Sequence, residues 1–276
     1  MNAEGPAAPV DGERLDLTWL GHATVLIEMA GIRLLTDPFL RDRLGPLRRH
    51  GPTPDPSILG PIDAVLISHA HPDHFDRTSL RSLPGRPMLI VPDGLGTTAR
   101  RLGPTRELTI GQTARLDGVS ITAVEARHGR WPRHPRATTV GYLVEGPTRI
   151  YFAGDTSLFA GLADLAGRAD VALLPIGSWG PHAAPWHLGP RGAAQVAAML
   201  EVRAVVPIHW GTFYPAGLER VWPEPLARPA RRFVRQASEL APGAEVRLLQ
   251  PGEATSFEWA PAAGGLRSSA RGCPGG

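Results

Sequence analysis

Residues 64–74 read Ala64-Val65-Leu66-Ile67-Ser68-His69-Ala70-His71-Pro72-Asp73-His74: a short apolar run, then four metal-binding side chains within six residues. The run Ala64–Ser68 has the composition of a buried strand. In an extended segment residues i and i+2 share a face, so His69 and His71 can grip one ion together. Pro72 disfavours the helical region for His71 and holds that geometry. The chain must then turn, which aims Asp73 and His74 elsewhere, so one segment can feed two adjacent metal positions. Imidazole and carboxylate suit zinc, and also manganese or iron. A polar loop that is histidine-rich by chance is the plain alternative, and four ligands packed this tightly behind an apolar strand outweigh it.

Around this stretch strand signals are dense. Leu15–Leu20, Thr24–Met29 and Ile32–Thr36 read as strands, as do Met88–Val91, Ala114–Leu116, Val119–Ala126, Thr139–Glu145, Thr148–Ala153, Val171–Pro175, Ala204–Pro207 and Val246–Leu249. Asp117-Gly118 is a strong hairpin turn. Helices are expected over 158–166, 190–201 and 228–240, the last with Ala230, Phe233, Val234, Ala237 and Leu240 on one face and four arginines largely outside it. Leu26 to Asp37 and Leu143 to Asp155 both run strand, glycine-containing turn, strand, aspartate, which suggests two similar sheet halves. Mixed strands with helices packed outside predict an α/β layered sandwich. One domain is expected over 14–260, with Ala/Gly/Pro/Ser-rich flexible ends at 1–13 and 261–276.

Further ligands are available at other strand ends. His128 follows the strand ending at Ala126, Asp155 follows Phe152-Ala153-Gly154, and His209 follows Pro207-Ile208. Taken singly these would read as a surface histidine, a helix N-cap and a core histidine. Beside a cluster of four ligands they become the economical completion of a two-metal site.

The order His69-x-His71-x-Asp73-His74, then His128, Asp155 and His209, resembles the metallo-β-lactamase fold, over about residues 15–259. The resemblance implies a four-layered αββα sandwich. With Asp rather than Cys at position 155, the chain resembles the hydrolase branches rather than true β-lactamases. Trp19-Leu-Gly-His22-Ala-Thr, Leu35-Thr-Asp37-Pro, Leu174-Pro-Ile-Gly177 and Pro207-Ile-His209-Trp-Gly-Thr are similar to the branch containing N-acyl-phosphatidylethanolamine phospholipase D and ascorbate-6-phosphate lactonase. It implies that His69, His71 and His128 hold one divalent ion, Asp73, His74 and His209 a second, and that Asp155 bridges them. A water or hydroxide between two Zn2+ (or Mn2+ or Fe2+) ions would be the nucleophile, with Asp73 orienting it. His22 and Asp37 would brace the site, Asp37 by accepting from a ligand histidine. His187 would protonate a leaving group or contact a phosphate.

The Pro/Gly/Trp/His-rich loop 177–189 carries Trp179, His182 and Trp186 as pocket candidates, and Arg130, with Arg133 and Arg136, could clamp an anionic group. The expected substrate is a small-molecule or lipid-derived ester, most plausibly a phosphodiester; a lactone, other carboxylic ester or thioester is the second reading, and a non-catalytic metal-binding scaffold the third.

Composition sets the outer bounds. With one Cys and ten His, disulfide scaffolds and thiolate zinc modules are excluded. All 29 basic residues are Arg, which removes lysine Schiff-base and Walker-type chemistry. Net charge is only +3, so a pI near 9.7 reflects arginine rather than a cationic surface, and nucleic acid is not an expected partner. The start of the chain shows neither a secretion signal nor the N-terminal extension from which the phospholipase D builds its membrane-facing groove. No RNA-binding arm of the tRNA-processing relatives is seen. No run reaches the ~20 apolar residues of a spanning helix, and a cytoplasmic location is expected.

Overall fold

A computed structural model describes residues 14–130, 132–177 and 186–259. Both predicted ends, and the pocket candidates Trp179 and His182, lie outside the described residues. Two seven-stranded sheets form the centre. In the first, Ala254–Glu258, Arg14–Gly21, Thr24–Met29 and Ile32–Thr36 pair antiparallel. Ala64–Leu66, Met88–Pro92 and Thr105–Leu108 then continue parallel to Ile32–Thr36. The second mirrors it: Thr113–Leu116, Val119–Glu125, Val140–Glu145 and Arg149–Phe152 are antiparallel, and Val171–Pro175, Ala204–Ile208 and Glu245–Val246 continue parallel.

Alternation decides the layering. Leu15, Leu17, Trp19, Val25 and Ile27 face inward and join Ile121, Tyr142, Val144 and Phe152 of the second sheet in one core. Leu26, Leu35, Val65 and Leu89 point the other way, onto Leu80 of helix Arg77–Ser82 and Ala99 of helix Gly96–Ala99. On the outer face of the second sheet, Leu143, Tyr151 and Leu174 share a core with helices Pro190–Leu200 and Glu224–Leu240. The architecture is the αββα sandwich of the metallo-β-lactamase fold. Among the described residues no helix is long and apolar enough to cross a membrane.

Several elements depart from the sequence reading. The strand at 64–68 stops at Leu66. Ile67 still bonds Ile90, but the Ser68 N–H goes to Asp37 Oδ1 at 2.7 Å and the Ser68 carbonyl accepts from Val140 of the other sheet at 3.0 Å, so the ladder is broken and the chain is free to turn into the histidine segment. Residues 160–165 form a 3-10 helix. The last helix begins at Glu224, where Pro225 suits the first turn, and continues through Pro229. Val234 is exposed rather than on the buried face. Of the expected strand at 246–249 only Val246 is in a strand, the two-residue Glu245–Val246.

A three-stranded sheet of Arg43–Leu44, Leu47–Arg49 and Phe213–Pro215, unforeseen in the sequence, covers one side of the site. Arg49 fastens it: its guanidinium is buried, donates to the carbonyls of Arg41, Leu20 and Phe39, and lies 4.9 Å over the Phe213 ring. Burial pushes this group down to about 10.

Candidate metal centre

The histidines and aspartates converge where strands of both sheets end. His69, His71, Asp73 and His74 follow Ala64–Leu66; Asp37 follows Ile32–Thr36; His128 follows Val119–Glu125; Asp155 follows Arg149–Phe152; and His209 follows Ala204–Ile208. The backbone is bent to bring them in. His22, Asp37 and His209 are non-glycine residues with φ of 55°, 30° and 59°. Conformations of this kind persist only where the surroundings enforce them. Here the His209 N–H donates to the His22 carbonyl (2.8 Å), the His22 N–H to Thr212 Oγ1 (2.7 Å), and the Trp19 indole, stacked on Trp210, to the His22 carbonyl (2.9 Å).

Four overlapping groups of donors form among the described residues, two of them joining Asp37 to His69 and His74, and Asp155 to His128 and His187. In the other two, His69, His71 and His128 lie together, and Asp73, His74 and His209 lie together with His22. Asp155 stands between them, Oδ1 3.3 Å from His209 Nε2 and Oδ2 3.2 Å from His74 Nε2 and 4.0 Å from His128 Nε2. His22, expected as a brace, is within the second group, its Nε2 3.0 Å from Asp73 Oδ2. Asp37 is the brace that the sequence suggested: Oδ2 accepts from His74 Nδ1 at 2.7 Å.

The outer nitrogens of several rings are engaged, which turns the opposite nitrogens inward. His74 Nδ1 is held by Asp37, His69 Nδ1 by Ser68 Oγ at 2.9 Å, and His128 Nδ1 by the Trp186 carbonyl at 3.2 Å. That leaves His69 Nε2 and Asp155 Oδ1 buried with no hydrogen-bond partner among the described residues. His74 Nε2 meets His209 Nε2 at 3.2 Å, and His71 Nδ1 meets His128 Nε2 at 3.1 Å. Lone pairs this close repel unless a proton or cation lies at the contact, so the donor set fits divalent cations.

Electrostatics agree with that fit. Burial pushes His71 and His187 down to about 4 and His209 down to about 3, the neutral, ligand-ready form. Burial opposes charge on His74 too, yet the carboxylates of Asp155, Asp73 and Asp37 outweigh it and raise His74 well above the ordinary imidazole value. Burial would raise Asp73 and Asp155, but surrounding imidazoles hold both well below the usual carboxylate range. Buried carboxylates that force a proton onto a histidine call for positive charge at the same place.

His187 joins the cluster, with Nδ1 3.5 Å from Asp155 Oδ2 and its ring 4.6 Å from that of His128. Arg130 and the exposed Trp186 line a cavity of about 510 Å³ beside His128; Arg133 and Arg136 are exposed. Sequence reasoning missed Ser68, whose N–H and Oγ both reach Asp37 and whose Oγ also contacts His69. Its signal was its place, directly before the first histidine. Tyr142 was missed too: its hydroxyl donates to the Ile67 carbonyl at 2.8 Å and steadies the same bend.

A family profile described as Beta-lactamase superfamily domain matches residues 32–210. An uncharacterized protein of Mycobacterium tuberculosis is 35% identical over 269 residues, covering 86% of this chain and 70% of that protein. The UPF0173 metal-dependent hydrolase of Methanopyrus kandleri is 32% identical over 248 residues, covering 86% of this chain and 97% of that protein. The N-acyl-phosphatidylethanolamine-hydrolyzing phospholipase D 1 of Caenorhabditis elegans is 32% identical over 241 residues, covering 75% of this chain and 67% of the enzyme. Among solved structures, Igni18, a metallo hydrolase of Ignicoccus hospitalis, shares the fold with a TM-score of 0.70 at 24% identity, over 90% of this chain and all of that one. With fold, donor cluster and relatives in agreement, the chain belongs to the beta-lactamase superfamily and is a metal-dependent hydrolase of the metallo-β-lactamase fold.

Proposed function

We propose that this hydrolase cleaves an ester bond, a phosphodiester in a small or lipid-derived molecule, at a centre of two divalent cations. The observation that carries this reading is the division of donors: His69, His71 and His128 on one side, Asp73, His74 and His209 on the other, and Asp155 between. Zinc suits such a set, and manganese or iron can share it. His69, His71, His128, Asp155, Asp73, His74 and His209 would hold the cations, whose charge would polarise the oxygen of the bond under attack and lower the pKa of an attacking water towards neutrality.

The rest falls to the protein. Asp73, fixed by His22, orients the water. His187 stands at the edge of the cluster with a buried Nδ1 that has no hydrogen-bond partner among the described residues, and as a neutral imidazole it is placed to offer a hydrogen bond to an oxygen of the leaving group or of a phosphate. Arg130, in the cavity wall next to His128, is available to an anionic group. The phosphodiester reading also draws on the name of the Caenorhabditis elegans relative.

The test is hydrolysis of bis-p-nitrophenyl phosphate by metal-reconstituted protein, run beside lactones and thioesters. Turnover is expected, and His71→Ala should lower it by at least about 10³-fold, the scale of losing a preorganised electrostatic contact, without unfolding the chain. Faster turnover of lactones or thioesters than of any phosphodiester would replace the substrate assignment. Unchanged turnover in His71→Ala would place the chemistry elsewhere.

A further inference from the structure

The donor cluster has unlike neighbours on its two sides. Beside His128 the cavity wall is mixed, with Glu125, Arg127, Arg130 and Ser157 standing next to the apolar Ile110 and Trp186. Beside His71 and Asp73, under the Arg43–Arg49 hairpin, lies a second cavity of about 440 Å³ walled by Phe39, Leu44, Pro46, Leu47 and Pro72. Its remaining charges cancel: Arg41 Nη1 is 3.3 Å from Asp76 Oδ1, and Asp76 also caps helix Arg77–Ser82 by accepting from the Ser79 N–H. The walls are fixed. Phe39 packs edge-on against Phe213 with ring centres 5.1 Å apart, and Arg49 ties the hairpin to three carbonyls. His71 belongs to this wall and His128 to the mixed, charge-bearing one, and their nitrogens are 3.1 Å apart. A bond cleaved between them therefore has one substituent facing each cavity.

Resting on the reaction proposed above, we infer that the cavity under the Arg43–Arg49 hairpin is a substrate subsite for an uncharged apolar arm, an alkyl or acyl chain or an aromatic ring, and that it orients the ester across the cluster. A rigid apolar pocket with its charges paired gains by burying hydrocarbon and has no free group to reward an ionic one. Leu44 is the selector: half-buried at the hairpin turn, it can be changed with less disturbance than Leu47 or Phe39, which are buried.

The experiment measures binding of straight-chain alcohols from butanol to decanol to the metal-reconstituted full chain by calorimetry, beside turnover of methyl-to-octyl p-nitrophenyl phosphodiesters. The alcohols carry no cleavable bond, so they report on the subsite alone. Affinity should rise about threefold to fourfold per methylene and then level off as the pocket fills. Leu44→Glu should weaken octanol at least tenfold and flatten the series, and Leu44→Trp should move the plateau to shorter chains. Val234→Glu, on the exposed face of the last helix, should change nothing. Thermal unfolding of each variant checks that it is folded. For the esters, the fall of KM with chain length should vanish in Leu44→Glu. An alcohol series without length dependence, or one indifferent to both Leu44 variants, overturns the subsite. Length-dependent alcohol binding with no phosphodiester turnover upholds the subsite and overturns the proposed reaction instead.

Discussion

Leu26–Asp37 in the first sheet and Leu143–Asp155 in the second follow one plan to opposite ends. In each a hairpin leads to an aspartate at the strand end, and the second strand then pairs parallel with the next. The likeness extends further: the Arg33 N–H donates to Asp63 Oδ2 at 2.7 Å and the Arg149 N–H to Asp170 Oδ2 at 2.9 Å, each aspartate immediately preceding the parallel strand. The carboxylates then part ways. Asp37 accepts on both oxygens, receiving Ser68 N–H, Ser68 Oγ–H and His74 Nδ1–H. Asp155 keeps Oδ1 buried without a hydrogen bond among the described residues and faces the Nε2 atoms of His74 and His209. The contrast separates a brace from a prospective ligand by hydrogen-bond accounting rather than by position in the chain. A buried carboxylate with both oxygens answered by donors holds other groups in place; one with an oxygen left unanswered among imidazole nitrogens calls for a cation.

That contrast is broken most forcefully at Asp155. Asp155→Ala should cost at least about 10³-fold in hydrolysis of bis-p-nitrophenyl phosphate and lower the metal bound per chain. Asp37→Asn should act through His74 and, by way of Ser68, through His69: metal affinity, measured by titration of the stripped protein, should fall about 10- to 100-fold, as when the partner of a ligating imidazole is removed. If Asp37→Asn proves the more damaging of the two, the roles are reversed.

Smaller effects compare the backbones. Gly154, one residue before Asp155, has φ +58°, and a Cβ there would sit 2.5 Å from Ser68 Cβ; Gly154→Ala should cost about 2–4 kcal/mol in chemical denaturation, from strain and overpacking together. Gly31, in the hairpin turn of the first sheet, has φ +76° but open space around it, so Gly31→Ala should cost only about 1 kcal/mol.

The smallest difference concerns the paired aspartates. Burial raises Asp170, but hydrogen bonds from the Arg149 side chain and backbone outweigh it and leave its carboxyl below the ordinary value. A depressed carboxylate stabilises the fold above its unfolded pKa and loses that contribution as pH falls through the folded value, so Asp170 adds to acid sensitivity below about pH 4. Asp170→Asn should remove less than about 1 kcal/mol at pH 7 and flatten the stability profile at that acid end; partial exposure and screening keep the effect small. A profile unchanged by the substitution would contradict the pairing.

Much of this was legible in the chain because it is encoded locally. Short apolar runs bounded by turn residues marked Thr24–Met29, Ile32–Thr36 and Val171–Pro175 with the boundaries that the structure has. The placement of His69 to His74, Asp155 and His209 beyond strand ends could be read for the same reason. What escaped reading depends on distant partners. Arg43–Leu44 and Leu47–Arg49 are too short and polar to announce strands, and they exist because Phe213–Pro215 pairs with Leu47–Arg49, which pairs in turn with Arg43–Leu44, and Arg49 finds three carbonyls. The apolar cavity beneath them was illegible for that reason. Ala254–Glu258 lacks a strong apolar pattern and is a strand through its register with Arg14–Gly21. Whether His22 braces or belongs to the donor group depends on a left-handed bend held by Thr212, about 190 residues away, which no local pattern reports.

Metal stoichiometry of the folded, reconstituted protein tests the central claim most directly. Elemental analysis after removal of loosely held ions should find two divalent cations per chain, and fewer in Asp155→Ala. A folded protein that retains none, or whose metal content is the same with and without the Asp155 carboxylate, would contradict the account.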